Sequence, residues 1–190
     1  MPITINGSGS VVGLTAGGLP DATVTPADLT QPLTFGTVQA ATGTSVDFTG
    51  IPSWVKRITL MFDGVSTNGT SLPLIQLGDS GGIEATGYTG VTYTVVAASS
   101  ATIAYSVGFT LAPTSNWLAT ALVYGSYTLS LMNVATNTWA IQGTIGRPDG
   151  VYVFGAGGTK SLSATLDRIR LTTTNGTDTF DAGTINILYE

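Results

Sequence analysis

One segment carries the residue string that surrounds the nucleophile of serine proteases. Residues 77–82 read LGDSGG, so Ser80 would be the attacking hydroxyl. A serine of ordinary pKa needs a neighbouring base, and the chain contains no histidine. Its lysines, Lys56 and Lys160, are not brought to this segment by any spacing. The string therefore predicts a tight glycine-rich loop between two strands, and we assign no catalytic residue.

Paired carboxylates are the second chemistry that the residue types would allow. A glycoside hydrolase needs two facing carboxyl groups, and sequence spacing alone brings no two of them together. Most lie beside Gly or Thr in turns, where a side-chain oxygen ordinarily bonds nearby backbone. We expect turn-shaping roles and no enzymatic activity for the eight candidates: Asp47, Asp63, Asp79, Glu84, Asp149, Asp167, Asp178 and Asp181.

A calcium site would need several oxygen ligands in one place. The segment NGTDTFDAG offers Asn175, Asp178 and Asp181, but it lacks the twelve-residue EF-hand pattern. Loop-shaping is the favoured interpretation, with calcium binding as the alternative. The absence of His and Cys excludes the usual zinc, haem and iron–sulfur ligands, so we predict no metal and no cofactor.

Aromatic residues provide the binding alternative, because an exposed ring can stack on a sugar. Trp117 follows the loop-like PTSN, and Tyr88 lies at the start of the middle segment, residues 80–160. We name Tyr88 and Trp117 as candidate residues for host-surface glycans. Trp139 shares a face with Ile141 by alternation, which predicts a core or interface position. Arg168 and Arg170 share a strand face, where surface ion pairing is expected and an anionic sugar is the alternative.

Composition limits the partners and the compartment. Only 9% of residues are charged and the net charge is −5, so six Lys and Arg cannot neutralise a phosphate backbone. Nucleic-acid binding is therefore not expected. No apolar run reaches the roughly 18 residues of a membrane span, and no signal-peptide pattern opens the chain. Membrane insertion and export are not expected.

Short alternating segments between turns run from Thr34 to the C-terminus. In WVKRITLMFDG, Ile58, Leu60 and Phe62 point one way, and in TINILYE the residues at 185, 187 and 189 do the same. Further strands are expected at residues 86–96, 103–111, 126–134, 138–146, 151–158 and 166–174. Asn133–Asn137 is predicted to join two of them as a hairpin, and Asp181–Gly183 to form a turn before the last strand. This pattern predicts an all-β, jelly-roll-like antiparallel sandwich of about eight strands over residues 33–190.

Residues 1–32 differ from the rest because glycines separate single apolar residues. Thr25, Pro26 and Asp28 follow the rules of a helix start, and Val24 with Leu29 has the spacing of a hydrophobic staple. An accidental cap in a plain linker is the alternative. We predict instead an extended N-terminal anchor with a short helical turn, which docks through Ile3, Ile5, Val11, Val12, Leu14, Leu19, Val24 and Leu29.

Two blocks of the sequence resemble known virion proteins. ITINGSGSVVGLTAGGLPDATVTPADL resembles the Gly-Leu-Pro-Asp linker of tail fibre and related proteins of tailed bacteriophages and prophages. VDFTGIPSWVKRITLMFDGVSTNG and LDRIRLTTTNGTDTFDAGTINILYE resemble the globular domain after that linker. The resemblance implies a trimeric β-structured appendage located in the virion, with its N-terminus fixed to the particle.

The function expected from these features is structural. Few charges guard the sheet edges, and self-assembly would remove those edges, so we expect a homotrimer. Without a long shaft of repeats, the pattern favours a short fibre or a capsid decoration protein whose N-terminal segment contacts other virion proteins of the head or tail. A receptor-binding tail-fibre module that recognises host-surface glycans is the alternative.

Overall fold

The alternation of apolar and polar residues determines which face of each long strand is buried. In the strand Arg57–Thr67, Ile58, Leu60 and Phe62 are buried and Met61 lies on the opposite face. The computed structural model, which describes residues 31–96, 99–113 and 117–190, is built almost entirely from such strands. The predicted all-β antiparallel sandwich is confirmed.

The described residues form fourteen strands, more than the eight expected. Their bounds are β1 (Thr34–Phe35), β2 (Gln39–Ala40), β3 (Ser45–Thr49), β4 (Arg57–Thr67), β5 (Pro73–Asp79), β6 (Gly82–Glu84), β7 (Tyr88–Val96), β8 (Ser99–Tyr105), β9 (Phe109–Thr110), β10 (Val123–Asn133), β11 (Thr138–Arg147), β12 (Tyr152–Ser161), β13 (Arg168–Thr173) and β14 (Phe180–Tyr189). A 3-10 turn, Pro148–Gly150, precedes β12.

Two antiparallel sheets result from the pairing of these strands. The nine-stranded sheet has the order β1-β14-β4-β10-β11-β12-β7-β8, and β2 also pairs with β14. The five-stranded sheet has the order β3-β13-β5-β6, and β9 also pairs with β5. Many neighbours in space are far apart in sequence, since β14 lies beside β4 and β13 lies between β3 and β5.

The core is the apolar layer between the inner faces of the two sheets. Phe109 of the five-stranded sheet meets Tyr88 and Tyr105 of the nine-stranded sheet edge to face, with ring centroids 4.9 and 5.6 Å apart. Tyr127 and Phe154, also of the nine-stranded sheet, are fully buried in the same layer. Edge-to-face aromatic pairs add to the stabilisation that burial provides, so these rings tie the sheets together.

Several local predictions are confirmed. Ile185 and Ile187 are buried and Tyr189 packs against the core, all from one face of β14. The hairpin at Asn133–Asn137 joins β10 to β11, where Asn137 adopts a left-handed backbone with φ of 47°. Alternation and turn residues were sufficient here because both are local signals.

Two local predictions are wrong. Residues 103–111 do not form one strand, because the chain leaves the nine-stranded sheet after Tyr105 and enters the five-stranded sheet at Phe109. Asp181–Gly183 is not a turn before the last strand but lies inside β14, where the register against β4 shifts. Gly183 has φ of +87°, and a Cβ there would collide with the backbone of Gly64, so only glycine fits this bulge.

Leu33–Glu190 forms one compact unit. The other unit, Met1–Pro32, lies almost entirely outside the described residues. Within the described ranges, no helix has the length and apolar character that a membrane crossing requires.

Candidate functional site

The residues predicted to anchor the N-terminus lie outside the part of the chain that the structure describes. They are Ile3, Ile5, Val11, Val12, Leu14, Leu19, Val24 and Leu29. The predicted helical turn that begins at Thr25 also lies outside it. The anchor therefore remains a prediction from the sequence.

Trp117 does not form the exposed platform expected of it. Its side chain is buried with 1% of its surface exposed, and its indole Nε1 donates a hydrogen bond of 2.7 Å to Thr67 Oγ1. Because neither face of the ring reaches solvent, Trp117 is not available to stack on a sugar. The prediction of a glycan contact at Trp117 is wrong.

Tyr88 is likewise a core residue. Its hydroxyl accepts a hydrogen bond from the Leu77 N–H at 2.7 Å and donates one to the Glu84 carbonyl at 2.8 Å. Burial raises the pKa of the Tyr88 hydroxyl above its ordinary value. The prediction of glycan binding at Tyr88 is wrong for the same reason as at Trp117. Alternation along β7 could have predicted the burial of Tyr88, since Tyr88 and Thr92 lie on the inner face of the strand and Tyr93 lies on the outer one.

The LGDSGG segment is the hairpin between β5 and β6, as predicted. Asp79 Oδ1 accepts a hydrogen bond of 2.7 Å from the Gly81 N–H, and Asp79 Oδ2 accepts one of 2.6 Å from Ser163 Oγ. These two bonds, that from Ser163 first, hold the pKa of Asp79 below its ordinary value. Ser80 is exposed at the tip of the turn, and the aspartate before it serves to shape that turn.

Six of the eight candidate carboxylates have structural partners. The pairs are Asp47 with Arg170, Asp79 with Ser163 and Gly81, Glu84 with Lys160 and Ser163, Asp149 with Arg147, Asp167 with Arg168, and Asp178 with Ser71 and Asn175. Within the described ranges, no three acidic, His or Cys side chains converge as a metal site would require. These contacts account for six of the candidates as parts of the scaffold, and Asp63 and Asp181 are not among them.

Glu84 and Lys160 form the least exposed of the ion pairs. The Lys160 side chain is 5% exposed, and its ammonium also donates to the Ser161 carbonyl. Burial would raise the pKa of Glu84, but the hydrogen bonds from Lys160 and from the Ser163 N–H outweigh it, so that pKa is lowered. The pair links β6 in the five-stranded sheet to β12 in the nine-stranded sheet.

The Asn175–Asp178 segment is a loop closed by its own side chains. Asp178 accepts hydrogen bonds from Asn175 Nδ2 and from the Ser71 N–H, and the bond from Asn175 is the main reason why the pKa of Asp178 is lowered. Asn175 Oδ1 accepts from the N–H groups of Thr177 and Asp178. This arrangement supports the loop-shaping interpretation over the calcium alternative.

Arg168 and Arg170 lie on the outer face of the five-stranded sheet and are paired there. Arg170 donates to both carboxylate oxygens of Asp47 on β3, at 2.7 and 2.8 Å. Arg168 donates to its neighbour Asp167 at 2.7 Å. The expected surface pairing is therefore present, and this face is the charged one.

The outer face of the nine-stranded sheet has a different character. It consists of the side chains that point away from the core on seven neighbouring strands: Leu33, Phe35, Thr184, Asn186, Leu188, Glu190, Arg57, Thr59, Met61, Asp63, Tyr124, Ser126, Thr128, Ser130, Ala140, Gln142, Thr144, Val153, Thr159, Thr89, Val91, Tyr93 and Val95, among others. Ser, Thr and Gln occupy its centre. Its charged members are Arg57, Asp63 and Glu190, and Arg57 forms an ion pair with Glu190.

Two shallow depressions meet at the centre of this outer face. One, of about 450 Å³, is bordered by Leu33, Arg57 and Glu190, and the other, of about 390 Å³, is bordered by Tyr93 and Thr144. Thr128 and Gln142 border both. The depressions are open to solvent and offer hydroxyl and amide groups where they meet, whereas the Arg57–Glu190 ion pair borders the larger one.

Tyr93 is the exposed aromatic residue beside these depressions. Its ring lies across Gly155 on the neighbouring strand, where a Cβ would overlap the ring atoms. The side chain keeps 40% of its surface exposed. A glycine on β12 thus lets a tyrosine on β7 lie flat on the sheet.

No protein-family model, no curated protein and no solved structure matches this chain. The functional argument therefore depends on the residues described above and on the resemblance of the two ends of the sequence.

Proposed function

We propose that this chain is a structural protein of a tailed-bacteriophage particle, either a short fibre or a decoration protein. Residues 1–32 attach it to other virion proteins, and residues 33–190 project as a trimeric β domain. The protein has no enzymatic role in this proposal and uses no cofactor.

The observation that carries the proposal is the use of the polar residues as scaffold. The candidate nucleophile Ser80 lies at the tip of a hairpin, and the aspartate before it bonds Gly81 and Ser163. Six of the eight candidate carboxylates bond arginine, lysine, serine, asparagine or backbone groups, as in the Asp47–Arg170 pair. A domain in which most of the carboxylates form hydrogen bonds and ion pairs within the fold suits a structural role.

The strand order supports the jelly-roll form of the sandwich. With the two short strands β1 and β2 taken as one, the order of one sheet begins β1/β2-β14-β4-β10, and the other sheet contains β3-β13-β5-β9. Successive strands alternate between the sheets at β3, β4 and β5, and again at β13 and β14. This is the connectivity of two Greek keys, to which β7, β8, β11 and β12 add an extension.

Particle binding by the full-length chain tests the proposal. Purified protein should sediment with particles that lack it, and gold-labelled antibody in electron micrographs should locate it on the head or the tail. The double variant Leu14→Asp, Leu19→Asp should lose sedimentation, because a charge opposes apolar docking. Val134→Asp, at a residue 67% exposed in the described domain, is the matched control and should bind normally. Wild-type protein that stays in the supernatant would contradict the proposal.

The alternative, a receptor-binding module for host-surface glycans, has one supporting observation. Tyr93 lies flat and exposed beside the hydroxyl and amide groups of Thr128 and Gln142, a combination that suits a neutral sugar. Binding of the protein to a glycan array, lost in Tyr93→Ala and kept in Tyr124→Ala, would support this alternative. The absence of binding to any glycan of the host would remove it.

A further inference from the structure

We propose that the outer face of the nine-stranded sheet is the surface on which copies of this chain meet. The inference rests on the trimeric form in the proposed function and names the surface that builds it. The occupant is a second copy of the chain, packed about a threefold axis that runs beside this face.

Charge distinguishes this face from the rest of the domain. The outer face of the five-stranded sheet presents Arg168, Arg170 and Asp47, whereas the centre of the nine-stranded sheet presents Thr128, Gln142 and similar neutral groups. A strongly charged partner finds no complement there. On a second copy of the same face Arg57 is already paired with Glu190, so Asp63 is the remaining charge that the two copies would have to keep apart.

Half of the exposed large apolar side chains of the described residues lie on the same face, while others, such as Val134 and Val151, lie elsewhere. Leu33 and Phe35 are 58% and 66% exposed at one end of the sheet, and Val91, Val95 and Val153 are 43%, 55% and 46% exposed near the other. Apolar groups at both ends suit a ring, since each copy in a cyclic trimer contacts its neighbours through two different patches.

The face is broad enough to carry two contact patches, one for each neighbour in a cyclic trimer. The seven strands of the face, about 4.8 Å apart, span about 29 Å, and the seven residue pairs of β4 and β10 span about 24 Å. The product is roughly 700 Å², which a cyclic trimer divides between the two neighbours of each copy, so each contact belongs to the small size class.

The edge of the sheet supports the same occupant. β8, Ser99–Tyr105, is the edge strand, and its sequence SSATIAY contains no charge and no proline. Natural proteins protect an open sheet edge with charged residues or proline, or they cover it. Assembly with another copy would bring a neighbouring chain close to this edge.

Mass measurements on full-length variants test the surface. Light scattering after size-exclusion chromatography should give three chain masses for the wild type. Thr144→Glu and Thr128→Glu each add a charge at the centre of the face and should reduce the mass to one chain, with the circular dichroism of the wild type. Thr49→Glu, opposite Arg168 on the other sheet, is the matched control and should remain trimeric.

A second measurement does not require the folded domain to accommodate a glutamate at these positions. Because the chain has no cysteine, Thr144→Cys and Thr49→Cys each introduce a single thiol. Maleimide should react with the thiol at 144 at least about tenfold more slowly than with the thiol at 49, because thiol reactivity follows access.

The outcomes separate the surface from the function. A trimeric wild type whose Thr144→Glu and Thr128→Glu variants are also trimeric, with equal thiol reactivity at the two sites, overturns the surface and leaves the particle protein in place. A monomeric wild type overturns the surface and the trimer together, whereas attachment is judged separately by sedimentation with particles. Glycan binding at Tyr93 by a monomeric wild type would assign the face to a sugar instead.

Discussion

Trp117 and Thr67 are joined by a hydrogen bond of 2.7 Å from the indole Nε1 to the threonine Oγ1, and both side chains are buried. Thr67 Oγ1 in turn donates to the Gly69 carbonyl at 3.2 Å. A tryptophan from the β9–β10 connection is thereby fixed to the end of β4, fifty residues earlier in the chain. The bond accounts for the polar atom of a large ring that would otherwise be costly to bury.

Replacing Thr67 by valine should destabilise the domain by about 1–3 kcal/mol, because the buried indole N–H loses its acceptor. Chemical denaturation followed by circular dichroism measures the change. Thr177→Val, at an exposed loop position, is the control and should change the free energy of unfolding by less than about 0.5 kcal/mol. Equal effects of the two substitutions would show that the hydrogen bond contributes nothing.

Tryptophan fluorescence should report the burial of the rings. Trp117 and Trp139 are 1% and 2% exposed, whereas Trp54 is half-buried. Trp54→Phe should therefore remove most of the emission that acrylamide quenches, and Trp117→Phe should remove emission that is poorly quenched. Strong quenching that disappears in Trp117→Phe would mean that this ring is exposed, as a sugar platform would be.

The Glu84–Lys160 pair should respond asymmetrically to the loss of either partner. Glu84→Gln leaves the ammonium of Lys160, 5% exposed, without its counter-charge and should cost about 3–5 kcal/mol of folding free energy. Lys160→Met should cost less, because Glu84 still accepts from the Ser163 N–H and is partly exposed.

The exposed Arg57–Glu190 pair gives the control for this measurement. Arg57→Gln should change the free energy of unfolding by less than about 1 kcal/mol, because water screens that pair. Urea denaturation of the three variants in parallel makes the comparison. A smaller cost for Glu84→Gln than for Arg57→Gln would contradict the buried position of Lys160.

The domain should lose stability in acid. The pKa values of Asp79, Glu84 and Asp178 are lowered by their hydrogen bonds, so folding favours their charged forms. Their stabilisation is complete above the unfolded-state pKa values of about 4 and is lost as pH falls through the lower folded-state values. The urea concentration at the midpoint of unfolding should decrease as the pH is lowered below about 4. The decrease should be smaller in Asp79→Asn. A midpoint independent of pH from 7 to 2 would contradict this linkage.

Local patterns in the sequence were sufficient for much of the fold. Alternation placed Ile58, Leu60 and Phe62 on the inner face of β4, and the Asn-rich segment after β10 predicted the hairpin to β11. Each depends on residues that are adjacent in the chain, where strand periodicity and turn preference operate. Composition was sufficient to exclude an imidazole-dependent catalytic triad, because the chain contains no histidine.

The tertiary structure alone decided which strands pair and which side chains are exposed. The chain changes sheets after Tyr105, so that Phe109 pairs with Ile75 in the five-stranded sheet. No local pattern predicts this pairing, because the two residues are distant in sequence. The loop-like setting of Trp117 predicted exposure, but Thr67 supplied the partner that allows its burial. The neutral outer face of the nine-stranded sheet also exists only once seven strands are assembled, since no single strand shows it. Local patterns therefore determine the strands and their buried faces. Pairing between residues distant in sequence determines the surface, because the surface exists only in the assembled sheet.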